Sequence, residues 1–367
     1  MIDVLIVEDS SSAAQLLNHI LTSDPEIRIV GTVTNGADAL RKLSTLPSVD
    51  VVTMDINLAG GMNGFETTRR IMETRPLPIA IISTLVGPSN DASNPFRVMV
   101  EGALAVLAKP PGPGHPDFEK RSKEVIRTVR AISEVKVIRR HIPAARPAHA
   151  VIGAHQPASR AAAEHRVARS VQPARSSGGR YNLVAIGAST GGPAVIESIF
   201  ASLGPGFPLP ILLVQHISCG FTEGFASWLQ KSTGVPTRIA RHGELPEAGV
   251  AYVAPDDQHM GVSSTGTIVL NGTREPIHGL RPAVAYLFDS VARIHGDRCI
   301  GVILTGMGSD GSKELGKIRE AGGVTIAQES ESCIVDGMPG QAVKMGSASF
   351  VLAPEAISRK LCTLAAE

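Results

Sequence analysis

The sequence has little of what would tie it to zinc, to a disulfide scaffold or to a membrane. Its 367 residues include only four cysteines, Cys219, Cys299, Cys333 and Cys362, widely spread and without a C-x-x-C pair. That spacing argues against a zinc site and a disulfide framework, and for reduced thiols in apolar surroundings. No apolar run approaches the roughly 18 residues that a membrane span needs. The opening MIDVLIVEDS turns acidic almost at once, with no basic stretch ahead of an apolar one, so no signal peptide is expected. Excess charge of one sign is missing as well. A formal net charge of +1 favours neither nucleic acid nor an anionic membrane as partner. The expectation is a soluble cytoplasmic protein that neither inserts into a membrane nor binds nucleic acid.

What is present is core-forming material. Hydrophobic residues make up 43% of the chain, and 367 residues allow two domains of ordinary size. Composition changes sharply over 141–180, HIPAARPAHAVIGAHQPASRAAAEHRVARSVQPARSSGGR, which holds six arginines and one acid and has no sustained apolar periodicity. Such a stretch reads as a flexible tether, with a helical turn or two possible at 161–169. Residues 1–140 and 181–367 are then the folded units. In the first, IDVLIV, EIRIVGTV, VDVVTM, PIAIIST and ALAVLAK alternate with helix-length segments, ending in EKRSKEVIRTVRAISEV. That rhythm predicts a doubly wound parallel sheet. The second shows the same alternation in NLVAIGAS, LPILLVQHI, CIGVILTGM and VTIAQ and the helical stretches between them.

In an open parallel sheet the functional groups gather at the carboxyl ends of the strands. Glu8 and Asp9 follow the first strand of the N-terminal unit, Asp55 the third, Ser83 and Thr84 the fourth and Lys109 the fifth. Three carboxylates converging on one crevice call for a hard cation such as Mg²⁺. An aspartate beside that cation and a lysine is equipped to accept a phosphoryl group. Taken singly, Asp9 reads as a helix cap and Lys109 as a solvated charge. Together the residues resemble the receiver domain of two-component response regulators, a (βα)5 fold. The resemblance implies that Asp55 is the phosphoacceptor, Glu8, Asp9 and Asp55 hold Mg²⁺, Ser83 is the hydroxyl switch and Lys109 pairs with the phosphate. Two positions depart from the receiver pattern: Ala59 stands where a proline is usual, in a loop one residue longer, and Val106 where an aromatic is usual.

At 184–192 the chain reads VAIGASTGG, a strand emptying into a glycine-rich turn. Walker A and dinucleotide patterns both fail here, the first for want of a lysine, the second because position 189 is serine. Anion binding at a helix N-terminus stays open, as does a plain turn serine. The segment matches G-x-S-x-G, which lifts a serine oxygen above a sheet. A nucleophilic serine needs a base and a group to orient it. LPILLVQH ends in His216, and CIGVILTGMGSD runs through a glycine-rich turn to Asp310, which alone would read as a helix cap. Three apolar strands leading to Ser, His and Asp make a triad the better account of all three, in an order unlike that of α/β-hydrolase esterases.

VAIGASTGGP, VQHI, LTGMGSDG, the 326–339 stretch and HGLRPAVAYLF (278–288) resemble the chemotaxis protein-glutamate methylesterase family, CheB. With the receiver and tether in front, the resemblance covers essentially the whole chain. It implies an α/β parallel-sheet catalytic domain in which Ser189 is the nucleophile, His216 the base and Asp310 the orienting carboxylate. The oxyanion donors it implies are the backbone N–H groups of Thr190 and Met307. It further implies methyl-ester hydrolysis and glutamine deamidation on chemoreceptors. Phosphorylation of Asp55 by a chemotaxis histidine kinase would control both, in a monomer, with no cofactor for the esterase chemistry. The unphosphorylated receiver is expected to cover the site. His259, Arg241 and Arg281 are candidate cleft residues, each with a structural or surface role as the stronger alternative. The rival reading is a response regulator acting by binding alone, and it would expect a lost triad member or a basic recognition helix. Neither is found in the sequence.

Overall fold

The computed structural model describes residues 1–84, 96, 102–135, 137 and 179–367. The tether over 141–180, apart from Gly179 and Arg180, and the expected helical turn at 161–169 lie outside those residues.

The N-terminal sheet is built from β1 (Ile2–Val7), β2 (Ile27–Val33), β3 (Val51–Met54), β4 (Ile79–Ser83) and β5 (Ala105–Ala108), all parallel, in the order β2-β1-β3-β4-β5. β3, β4 and β5 are buried along their whole length, which is why they read as continuous apolar runs. Helices α1 (Ser11–Thr22), α2 (Gly36–Thr45) and α3 (Gly64–Thr74) start at polar caps. Ser10 accepts from Ala13 N–H, Asn35 from Asp38 N–H and Asn63 from Glu66 N–H, each satisfying a donor that the first turn leaves over. The last helix of this unit is α4 (Phe118–Ser133). Asp9 is not the cap of α1; Ser10 takes that place.

The second sheet has seven strands in the order β14-β13-β12-β6-β7-β9-β8, again with every pairing parallel. Its centre is β6 (Leu183–Ala188), flanked by β7 (Ile211–Gln215) and β12 (Cys299–Ile303). Beyond these lie β13 (Val324–Gln328) and β14 (Phe350–Leu352) on one side, and β9 (Ala251–Val253) and β8 (Thr237–Ile239) on the other. The helices are α5 (Gly192–Leu203), α6 (Thr222–Thr233), α7 (Val284–His295), α8 (Ser312–Glu320), α9 (Met338–Lys344) and α10 (Pro354–Ala365). An antiparallel hairpin, β10 (His259–Val262) with β11 (Ile268–Asn271), packs against α7. The chain leaves β6 to build β7 on one side and later returns to place β12 on the other. A crevice therefore opens at the carboxyl ends of these three strands, where open α/β sheets bind their ligands.

The two units touch. Phe96 of the first is 1% exposed and packs its ring 5.3 Å from Phe225 and 6.0 Å from Trp228 of α6, and 6.3 Å from Phe221 (centroid distances). Ser218 Oγ lies between the units: it accepts from Ala108 N–H of edge strand β5 (3.4 Å) and donates to Glu124 Oε1 of α4 (2.6 Å).

Candidate active site and phosphoacceptor pocket

Ser189 stands directly after β6, and the turn behind it is possible because Gly191 takes φ +79°, a region open to glycine and strained for other residues. Ser189 is fixed through its backbone. Its N–H donates to Thr305 O (3.0 Å), and its carbonyl accepts from Gly192 N–H (2.8 Å) and from Gln215 Nε2 (2.8 Å). His216 follows β7, and its N–H donates to Ala188 O (2.9 Å), so the two strand ends are locked side by side.

His216 Nε2 is 3.0 Å from Asp310 Oδ2. Asp310 is 3% exposed and accepts two further bonds, from Val284 N–H (2.6 Å to Oδ2) and Ala285 N–H (3.1 Å to Oδ1). These are orphan donors of the first turn of α7, where the helix dipole also favours negative charge. Burial would push this carboxyl up, but the hydrogen bonds from His216 and the two backbone donors outweigh it and hold Asp310 below the usual carboxylate range. The aspartate is a helix cap after all, though of α7 and not of the α8 that follows it. The carboxylate can only accept, so Nε2 carries the imidazole proton and Nδ1 is left as the basic nitrogen.

Thr190 lies in the turn before α5, and Met307 in the turn after β12. Among the described residues, neither backbone N–H has a protein acceptor. Gly306 lets this turn approach Ser189: a Cβ there would lie 2.6 Å from Ser189 Cβ and 2.5 Å from Met338 Sδ. Of the candidate cleft residues, Arg281 joins Ser189 and His216 in lining one cavity, Arg241 does not, and His259 is fully buried behind the site.

At the other sheet, Glu8, Asp9 and Asp55 offer oxygens within 4.8 Å of one another. Lys109 Nζ bridges two of them, at 2.6 Å from Asp55 Oδ2 and 2.8 Å from Glu8 Oε1. Burial alone would lower the ammonium's pKa, but its bonds to Asp55 and Glu8 raise it above the usual value. Burial raises that of Glu8. Among the described residues, Glu8 Oε2 and Ser83 Oγ are both buried without a partner. A hard cation beside Glu8 and a phosphoryl oxygen beside Ser83 would satisfy these two atoms, so the donor set fits Mg²⁺ and phosphorylation. Ala59 has an N–H that the usual proline would lack, and it donates to Asp9 Oδ2 (3.2 Å).

Residues 184–361 match the family model described as CheB methylesterase, and residues 4–115 that of the response regulator receiver domain. A protein-glutamate methylesterase/protein-glutamine glutaminase of Syntrophus aciditrophicus is 47% identical, the match covering 100% of this chain and 99% of that protein. The chain belongs to this family. Another methylesterase/glutaminase, from Nitrosospira multiformis, is 45% identical over 100% of this chain and 98% of its own. The CheB methylesterase catalytic domain of Thermotoga maritima is similar over 50% of this chain and 98% of its own, at 38% identity and TM-score 0.49.

Within this CheB-family chain the receiver lies over Ser189 and His216. A cavity of about 340 Å³ is lined by Ser189, Thr190, His216 and Met307 on one side and by Arg121, Glu124 and Arg127 of α4 on the other. Val106, at the position where receivers usually carry an aromatic, lines it too. Arg121 donates to Cys219 O (3.2 Å), three residues beyond His216.

Sequence reasoning missed the clamp that joins the three loops. Thr305 N–H donates to Gln328 Oε1 (2.9 Å), and its hydroxyl donates to Thr190 O (3.0 Å) and accepts from Val335 N–H (2.9 Å). Gln215 and Gln328 each end a strand, and a buried amide at a strand end was the available signal.

Proposed function

We propose that this chain hydrolyses glutamate γ-methyl esters on chemoreceptors, releasing methanol, and deamidates receptor glutamines by the same route. The observation that carries the reading is the relay from Asp310 to His216 Nε2, with Ser189 on the same cavity wall. Ser189 Oγ attacks the γ-carbonyl carbon as His216 Nδ1 takes its proton. The oxyanion is received by the Thr190 and Met307 N–H groups; one such donor is typically worth about 10² to 10³ in rate. Collapse breaks the ester C–O bond, and His216 returns the proton to the departing methanol, or to ammonia from glutamine. Water then attacks the acyl-serine with the same base, leaving glutamate and free Ser189.

Regulation is assigned to Asp55 as acceptor of a phosphoryl group from a chemotaxis histidine kinase. Glu8, Asp9 and Asp55 would hold Mg²⁺, which when bound neutralises charge on the incoming group. Lys109 pairs with the phosphate, and Ser83 donates to it. Since Ala108 and Glu124 both bond Ser218, two residues from His216, a change around Lys109 is well placed to loosen the receiver from the site. Residues 1–140, 141–180 and 181–367 then act as receiver, tether and catalytic domain of a cytoplasmic monomer. The test is Ser189→Ala: methanol release from methylated receptor should vanish while thermal midpoint and Asp55 phosphorylation stay as in the parent. Retained turnover would remove the nucleophile assignment.

A further inference from the structure

His259 opens β10 and has no solvent exposure. Both of its ring nitrogens are committed. Nδ1 lies 3.3 Å from Ala283 N, and Nε2 lies 3.1 Å from Glu275 O. A backbone N–H only donates and a backbone carbonyl only accepts, so the ring must be neutral with its proton on Nε2. The imidazole is held flat against Tyr286, centroids 4.8 Å apart and planes 19° apart, and Arg274 lies against that same tyrosine ring at 5.3 Å.

Ala283 is the residue that leads into α7, and the next two N–H groups are those that hold Asp310. Three consecutive backbone donors are thus assigned in order, the first to His259 and the following two to the catalytic carboxylate. We propose that His259 is a positioning residue of the esterase: by accepting Ala283 N–H it sets the first turn of α7, so that Val284 and Ala285 meet Asp310 and Asp310 sets the His216 ring. This rests on the triad reading above and extends it one layer outward.

The surroundings keep the ring in the form the bond requires. Burial lowers its pKa, and Arg281 and Arg274 push the same way against the Glu275 carbonyl and the Asp310 carboxylate; the net direction is down. A proton on Nδ1 would meet Ala283 N–H head-on. β10 also grips α7 at a second point, where Ser290 Oγ accepts from Val262 N–H (3.2 Å) and donates to Leu287 O (2.8 Å). That second grip holds the helix on the hairpin when His259 is changed.

The experiment follows methanol release from methylated receptor by the full-length chain as a function of pH. His259→Asn keeps an acceptor close to the place of Nδ1, whereas His259→Gln puts its amide nearer that of Nε2 and leaves Ala283 unmatched. His259→Gln should lose about ten- to a hundredfold in kcat with KM nearly unchanged, as small misplacements of reacting groups do. It should also change the pH profile of kcat/KM, because a displaced Asp310 no longer orients and supports the catalytic base. His259→Asn should recover most of both. Ser290→Ala should lower the thermal midpoint and leave the pH profile in place. A His259→Gln enzyme with parental kcat and profile overturns the inference, and so does a loss that Ser290→Ala reproduces without any pH shift. Full activity in Ser189→Ala, run alongside, would instead bring down the triad reading and this inference with it.

Discussion

Phe96→Ala tests directly whether the receiver covers the site. The ring is 1% exposed and packs on Phe221, Phe225 and Trp228, all in the catalytic domain. Burying one such side chain is worth about 1.5–3 kcal/mol, and edge and stacked ring pairs add about 0.5–1.5 kcal/mol each. Part of that gain survives because Ala still buries its methyl group, so about 2–3 kcal/mol is lost from docking. At about 1.4 kcal/mol per tenfold, the closed-to-open ratio falls about 30- to 150-fold. Basal methanol release should therefore climb toward the phosphorylated rate, and stimulation by a small-molecule phosphodonor should shrink in proportion. The chain's one tryptophan is Trp228, stacked on Phe96. Its emission should shift to the red in the variant without phosphodonor, and in the parent only once a phosphodonor is added. Phosphate uptake at Asp55 checks that the receiver is intact, and Asp55→Asn supplies the unstimulated baseline. Basal turnover within twofold of the parent, with full stimulation remaining, would refute the covering role.

Gly306→Ala should cut kcat by about tenfold or more, since the added methyl meets Ser189 Cβ and Met338 Sδ and one of them must shift; steady-state kinetics against the thermal midpoint separates this from unfolding. Acid should destabilise the catalytic domain early. His259 and His295 both have their pKa lowered by burial, so below about 6.5 the unfolded chain binds protons that the folded one refuses. Their stabilisation is complete above 6.5 and is lost as pH falls from there toward the lowered folded values, at no more than about 1.4 kcal/mol per pH unit per histidine. Urea midpoints between pH 7 and 5 measure it, and a flat profile would contradict it.

The sequence announced the two central sheets well. β6, β7 and β12 are buried along their whole length and almost wholly apolar, and runs of that kind are hard to read otherwise. β8, β9 and β14 have three residues each, too short for any periodicity. The hairpin β10–β11 was missed with them, and with it the partner that makes His259 a support behind the site instead of a cleft residue. Ser189 and His216 were legible because each directly ends a strand. Asp310 was legible only in company: its local pattern says helix cap, and the helix it caps lies some 25 residues earlier in the chain. No pattern along the sequence pairs it with Val284. The placement of α4 over the cavity was legible least of all. Arg121 and Glu124 meet the catalytic loops across about 95 residues of chain, and hydrophobic periodicity says nothing about which surface a helix will share.

The open edge of β5 carries a consequence of its own. Ala108 spends its N–H on Ser218, so the catalytic domain occupies the seat that an exposed strand edge would otherwise offer to any passing chain. A seat holds one occupant at a time. Whatever else docks on β5, Phe96 and α4 must first displace the esterase, and by linkage anything that frees the esterase vacates that seat by the same free energy. Uncovering the enzyme and advertising the receiver are then a single event seen from its two sides.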